Sequence, residues 1–164
     1  MAASGLFEGY VAYGEALRET LLQACASGCR EQFWIDAGFV DWPLSEPALL
    51  EALSSWARLP GRRLHLLALD YEDLRRRHPR FVQWRAAFGH CVEARAYEPQ
   101  SGGAGLAAAL FTGGGALLSL RLFDAQQWRG SVSREASDGL RTREWFDALA
   151  QRSSESFAAT TLGL

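Results

Sequence analysis

The chain has 164 residues, 48% hydrophobic and 22% charged, with a formal net charge of −2. That length and composition suit a single globular domain with its own core and exclude a disordered chain. The charge excludes a global field that would gather polyanions, so no nucleic-acid partner is expected.

The opening "MAASGLFEGYVAYGE" has no basic start and no continuous apolar core, so it does not read as a secretory signal. Residues 10–27 read as an amphipathic helix, with Tyr13, Leu17, Leu21 and Ala24 on one face and Gly28 as its stop. "CREQFWIDAGF" follows as a strand, with Phe33 and Ile35 opposite Trp34. In "DWPLSEPALLEALSSWARLPGRR", Ser45 is placed to cap a helix and Pro47 sits in its first turn. Leu49, Leu50, Leu53, Trp56 and Ala57 form the face that helix should bury. "RLHLLALD" is a nearly continuous apolar strand, as expected of one covered on both sides.

"RRRHPRFVQWR" opens the next helix at Pro79, with Phe81, Trp84 and Phe88 inward and Gly89 at its end. "HCVEARAYEP" is a strand. The order to this point is α-β-α-β-α-β, which predicts a largely parallel sheet with helices on its faces. "LAAALFT" and "ALLSLRLFD" around a glycine triplet then predict a hairpin. The uncharged run 102–120 approaches the length of a membrane span, about 20 residues, but its glycines favour two strands. "WRGSVSREAS" reads as one more strand, and "DGLRTREWFDALAQRSSESF" as a closing helix with Leu140, Trp145, Phe146 and Leu149 apolar. The expected organisation is one α/β domain over 1–157 and a flexible tail over 158–164.

All 17 basic side chains are arginine, and lysine is absent. The chain therefore cannot form a Schiff base with a carbonyl cofactor, build a P-loop or assemble a kinase site of the usual kind. Gly103, Gly105 and Ala108 with Asp124 mimic a dinucleotide fingerprint, but too few residues follow for a crossover helix. Cys25, Cys29 and Cys91 are odd in number, lack zinc spacing and suit a reducing compartment. No cofactor and no metal are expected, and the protein is read as cytoplasmic.

The acidic candidates are Asp36, Asp41 and Asp70, because Asp36 and Asp70 fall near the carboxyl ends of strands, where α/β sheets place their sites. Capping or turn formation is the plain alternative for each. His78, Arg80 and Arg85, with Arg75, Arg76 and Arg77, surround a helix start, where free N–H groups could assist a phosphate or carboxylate. A solvated face is the plain alternative there and is the preferred reading. Asp36, Asp41, His78, Arg80 and Arg85 are thus the candidate ligand-binding residues; no catalytic residue is assigned.

The layout resembles the phospholipase D-like fold. In that family alternating helices and strands lead to a hairpin carrying H-x-K-x-x-x-x-D and G-S-x-x-N, another strand and a final helix. "AAALFTGGGALLSL" stands where the hairpin belongs, "SVSREAS" where the strand belongs and "REWFDALAQRSSESF" where the helix belongs. The signature residues are missing: the hairpin has no histidine and the chain no lysine. The resemblance implies a mixed sheet flanked by helices in a degenerate, proteobacterial-type member that has lost phosphodiester chemistry. The expected function is a non-catalytic binding or protein-interaction module. The alternative is an enzyme or binder for a phosphate-bearing ligand, using Asp36 or Asp41 with His78 and Arg80. Single-motif members pair, so a homodimer is also expected, with the loop aromatics Trp42 and Trp128 as anchors.

Overall fold

The computed structural model describes residues 5–99 and 105–159. In chain order it contains β1 (Gly5–Phe7), α1 (Tyr10–Ala26), β2 (Glu31–Ile35), α2 (Pro47–Ala57), β3 (Arg63–Ala68), α3 (Glu72–Arg77), α4 (Pro79–Ala87), β4 (Val92–Tyr97), β5 (Ala108–Gly113), β6 (Ser119–Asp124), β7 (Arg129–Ser133), α5 (Ala136–Ala150) and β8 (Ser153–Glu155). The strands form one mixed sheet in the order β1-β7-β6-β5-β2-β3-β4-β8. Parallel pairing is confined to β2–β3–β4, the part built by helical crossovers. The hairpin β5–β6 returns antiparallel beside β2.

Register explains the two faces. Trp34 pairs with Leu66 and Leu110, and these point toward α1, α2 and α4. Phe33 pairs with His65 and Phe111, and these point the other way, toward α5. The first face buries Leu17, Leu21, Leu53, Trp56, Phe81 and Trp84 with the sheet. The second buries Phe33, Ile35, Leu67, Ala109 and Phe111 under Phe146 and Leu149. Two glycines are dictated by backbone geometry. Gly114, at φ 68°, makes the β5–β6 turn. A Cβ on Gly130 would lie 2.1 Å from the Arg121 carbonyl oxygen and 2.4 Å from Phe7 Cζ, so only glycine fits there.

Several expectations need correction. Ser45 does not cap α2: Glu46 is its N-cap residue, and the Ser45 hydroxyl turns to His78. The closing helix ends at Ala150, not near Phe157. The chain then reverses and adds β8 to the edge of β4, where Arg95 Nε donates to Ser153 Oγ at 2.6 Å and its Nη2 to the Ser153 carbonyl at 2.7 Å. Leu140, expected on the inner face of α5, is 62% exposed; Thr142, Phe146 and Leu149 face inward instead. Trp42 is buried between Trp34 and Phe39, and Trp128 packs on Tyr13 and Tyr10. Of the two expected dimer anchors, Trp42 is thus buried within the chain and Trp128 is half-buried against α1. Phe157 is buried on Tyr71 and Phe81. Of the expected tail, 160–164 lie outside the described residues, as does Gly103 of the glycine fingerprint.

Candidate functional site

The loop after β2 gathers three of the sequence candidates. Asp36 Oδ2 accepts the backbone N–H groups of Gly38 at 3.1 Å and Phe39 at 2.6 Å. Burial pushes its carboxyl pKa up, and those two donors oppose the rise. They also hold Phe39 at φ 58°, a conformation that disfavours a bulky residue, while its ring is fully buried against Trp42 and Tyr71. Asp41 lies at the exposed end of the loop and accepts the Tyr10 hydroxyl at 2.8 Å.

His78, at the junction of α3 and α4, is 4% exposed. Its Nε2 lies 3.2 Å from the carbonyl oxygens of both Phe39 and Val40, so that nitrogen must carry the proton. Nδ1 then accepts the Ser45 hydroxyl at 2.6 Å. Both ring nitrogens are engaged, and burial pulls the pKa below the usual histidine value. His78 is a bracket that fastens the 36–46 loop to the helices. Its geometry offers no free nitrogen for proton transfer to a ligand.

The remaining candidates scatter. Arg85 is buried, and its Nε donates to the Phe157 carbonyl at 3.1 Å; it straps the C-terminal segment to α4. Arg80 is exposed, with no hydrogen bond or ion pair among the described residues. Asp70 Oδ1 accepts the Glu72 N–H at 3.1 Å in the turn that leads into α3, whose N-cap residue is Tyr71. Arg76 pairs with Asp73. An open groove of about 390 Å³ is lined by Val40, Asp73, Arg76 and Arg77, but Asp36, Asp41, His78, Arg80 and Arg85 do not line it.

A second cleft was not legible as a site in the sequence. It lies on the other face of the sheet, between the start of β5, the middle of β6 and α5, with a volume of about 240 Å³. Gly105, Leu106, Arg121, Arg141, Thr142 and Trp145 line it. Arg121 Nη2 meets Asp138 at 3.1 Å, while its Nε is buried with no acceptor. The Ser133 hydroxyl donates to Asp138 at 2.7 Å. That bond first, and the charges of Arg121 and Arg141 after it, hold the Asp138 carboxyl below its ordinary value. Thr142 Oγ1 donates to the Asp138 carbonyl at 2.7 Å, so its hydroxyl is occupied. The only sequence cue to this cleft was the spacing of Arg141 and Trp145, four residues apart and so on one side of a helix.

The sequence matches no protein-family model and no curated protein. Several solved structures match in three dimensions, Nuc and TrmBL2 among them. Nuc, a phospholipase D family member from Salmonella typhimurium, has a TM-score of 0.57 at 13% identity, covering 93% of this chain and 98% of that one. The fold is phospholipase D-like. TrmBL2, an archaeal chromatin protein whose structure shows a novel mode of DNA binding, has a TM-score of 0.62 at 14% identity. That match covers 93% of this chain and 53% of TrmBL2, so the chain spans about half of the archaeal protein. The Nuc match runs almost end to end. At 13% identity the likeness shows the fold of this phospholipase D-like chain.

Proposed function

We propose that this chain is a non-catalytic binding domain on a phospholipase D-like scaffold. The observation that carries the reading is the make-up of the cleft beside the β5–β6 hairpin. The hairpin, where the family resemblance calls for a nucleophilic histidine and a lysine, has neither, and the cleft beside it is lined by Leu106, Arg121, Arg141, Thr142 and Trp145. Arginine binds oxyanions well but is a poor proton carrier, and no lining side chain among the described residues is a free nucleophile. The three free, buried cysteines support a reducing, cytoplasmic setting. DNA binding is not carried over from TrmBL2, because this chain spans about half of that protein and bears a net charge of −2.

The test is turnover of a generic phosphodiester by the purified chain. No rate above the uncatalysed background is expected. A measurable rate that disappears on replacing His65, His78 or His90 would sink the reading.

A second reading rests on the groove beside Arg76 and Arg77: a phosphate-bearing ligand held there, next to Val40 of the 36–46 loop. The groove carries two guanidiniums against one carboxylate. Loss of phosphate binding in Arg77→Ala, with binding kept in Arg141→Gln, would favour it over the α5 cleft.

A further inference from the structure

We infer that the α5–hairpin cleft takes a small ligand made of one oxyanion, phosphate or carboxylate, on a flat apolar body. The inference rests on the binding-domain reading and adds the class of ligand.

Charge comes first. Arg121 and Arg141 both line the cleft, and Asp138 is the one carboxylate in ion-pair contact with either of them among the described residues. Two positive charges against one negative leave a single unbalanced cation in a concavity. Unpaired arginines are common on this surface; Arg141 differs in lining a cleft beside a second guanidinium, that of Arg121, which is itself held in place. The Asp138 contact also fixes Arg121, which is 15% exposed, so its fork is already ordered. An ordered guanidinium loses little entropy on binding a planar or tetrahedral oxyanion.

Shape and donors come next. The Trp145 indole N–H has no hydrogen-bond acceptor among the described residues, and the indole lines the cleft. A Cβ placed on Gly105 would lie 2.8 Å from Trp145 Nε1. Glycine at this position is what keeps the indole edge open. Leu106 and the indole supply the apolar part of a lining that also holds the two arginines. The volume, about 240 Å³, is below the usual range of about 300–1,000 Å³ for ligand pockets, which selects a small occupant. One charged head and one flat body fill it without leaving a second charge unpaired.

The experiment uses the full chain with three probes: phenyl phosphate, benzoate and inorganic phosphate. Binding is read by ligand-observed NMR titration. Phenyl phosphate or benzoate should saturate one site, and whichever binds more tightly identifies the head group. Inorganic phosphate should bind at least tenfold more weakly, because it lacks the body. Arg141→Gln removes an exposed charge and should weaken binding at least tenfold. Gly105→Ala changes no charge and no left-handed φ, and should do the same by displacing the indole. Circular dichroism of both variants confirms that they fold. Binding unchanged in both variants places the probe elsewhere and overturns the inference, as does failure of all three probes to bind at millimolar concentration. Inorganic phosphate binding as tightly as phenyl phosphate overturns the apolar-body half. None of these outcomes measures turnover, so the binding-domain reading and this inference fail separately.

Discussion

One face of the sheet lies under α1, α2 and α4, and the other lies under α5 alone. The first is thick with rings: Trp34, Trp42, Phe39, Tyr71, Phe157, Phe81 and Trp84 touch in one chain of contacts. The second has Phe33, Phe111 and Phe146 at its centre, and polar groups around them. On that side His65 stacks on Phe33 and bridges Glu31 and Glu93, at 2.8 and 3.2 Å. Arg143 covers the same Phe33 ring at 4.3 Å from above. The difference separates two duties. Apolar burial on the thick face supplies most of the folding free energy. The thin face leaves polar side chains and a cleft within reach of a ligand.

The largest expected effect tests that division. Trp84 is 6% exposed, stacks on Phe81 and Phe88 and donates to Ser54 at 3.1 Å. Trp84→Ala should cost about 3–5 kcal/mol in urea melts. Leu149, beneath the single helix of the thin face, should cost only about 2 kcal/mol as Leu149→Ala, because its site can relax toward solvent. A larger loss at Leu149 than at Trp84 would break the comparison.

Arg85→Ala comes next, at about 1–3 kcal/mol. The buried guanidinium is the donor to the Phe157 carbonyl and stacks on the Phe157 ring at 5.8 Å. Without it that carbonyl loses its partner and the 151–159 segment loosens from the thick face. Hydrogen exchange confined to β8 and that segment would confirm the route of the loss; exchange spread evenly over the sheet would contradict it.

These residues show what the sequence made legible. Helical spacing announced Phe81 and Trp84 because a buried helix face needs an apolar stripe. Alternation announced Phe33 against Trp34 because a strand has two sides. β1 and β8 escaped notice because three residues are too few to show a period, and "SSE" is wholly polar. α3 escaped because "EDLRRR" buries only Leu74. Arg85 read as a possible ligand contact because local sequence cannot reveal a partner 72 residues away. His78 was placed correctly at a helix start, yet its role depends on carbonyls 38 and 39 residues distant. The Arg121–Arg141–Trp145 cleft was hidden for the same reason, since a hairpin and a helix far apart in sequence build it.

The pH dependence of His78 sharpens the thick-face account. Burial, first, holds its folded-state pKa below the ordinary 6.5, with Arg77 acting in the same direction and the Phe39 and Val40 carbonyls and Asp41 opposing. Below about pH 6.5 the unfolded chain therefore binds more protons here than the folded chain. The contribution is fully present above that pH and is lost as pH falls toward the folded value, by at most about 1.4 kcal/mol per pH unit. Asp36 has the opposite sign at lower pH: its raised folded pKa makes protonation favour the folded state. Denaturant melts of wild type and His78→Gln from pH 7.5 to 5.5 should differ in slope, the wild type losing more on acidification. Parallel slopes would mean that His78 is not the buried neutral bracket described.

The smallest expected effect concerns Arg76, in the arginine run before α4. Its partner Asp73 is three residues earlier on α3, and the two side chains are 77% and 55% exposed. Water screens a pair that open, and holding two long side chains in one geometry costs entropy, so exposed pairs contribute about 0.2–1 kcal/mol. Helix α3 buries only Leu74, so Arg76 has little apolar contact to lose with its charge. Arg76→Ala should therefore change stability by no more than about 0.5 kcal/mol. The double variant with Asp73→Ala should show coupling of the same small size, shrinking further in high salt. A loss approaching that of Trp84→Ala would mean that the arginine run supports the thick face instead of lying in solvent. The line between a stabilising face and a solvated rim would then have to be redrawn through α3.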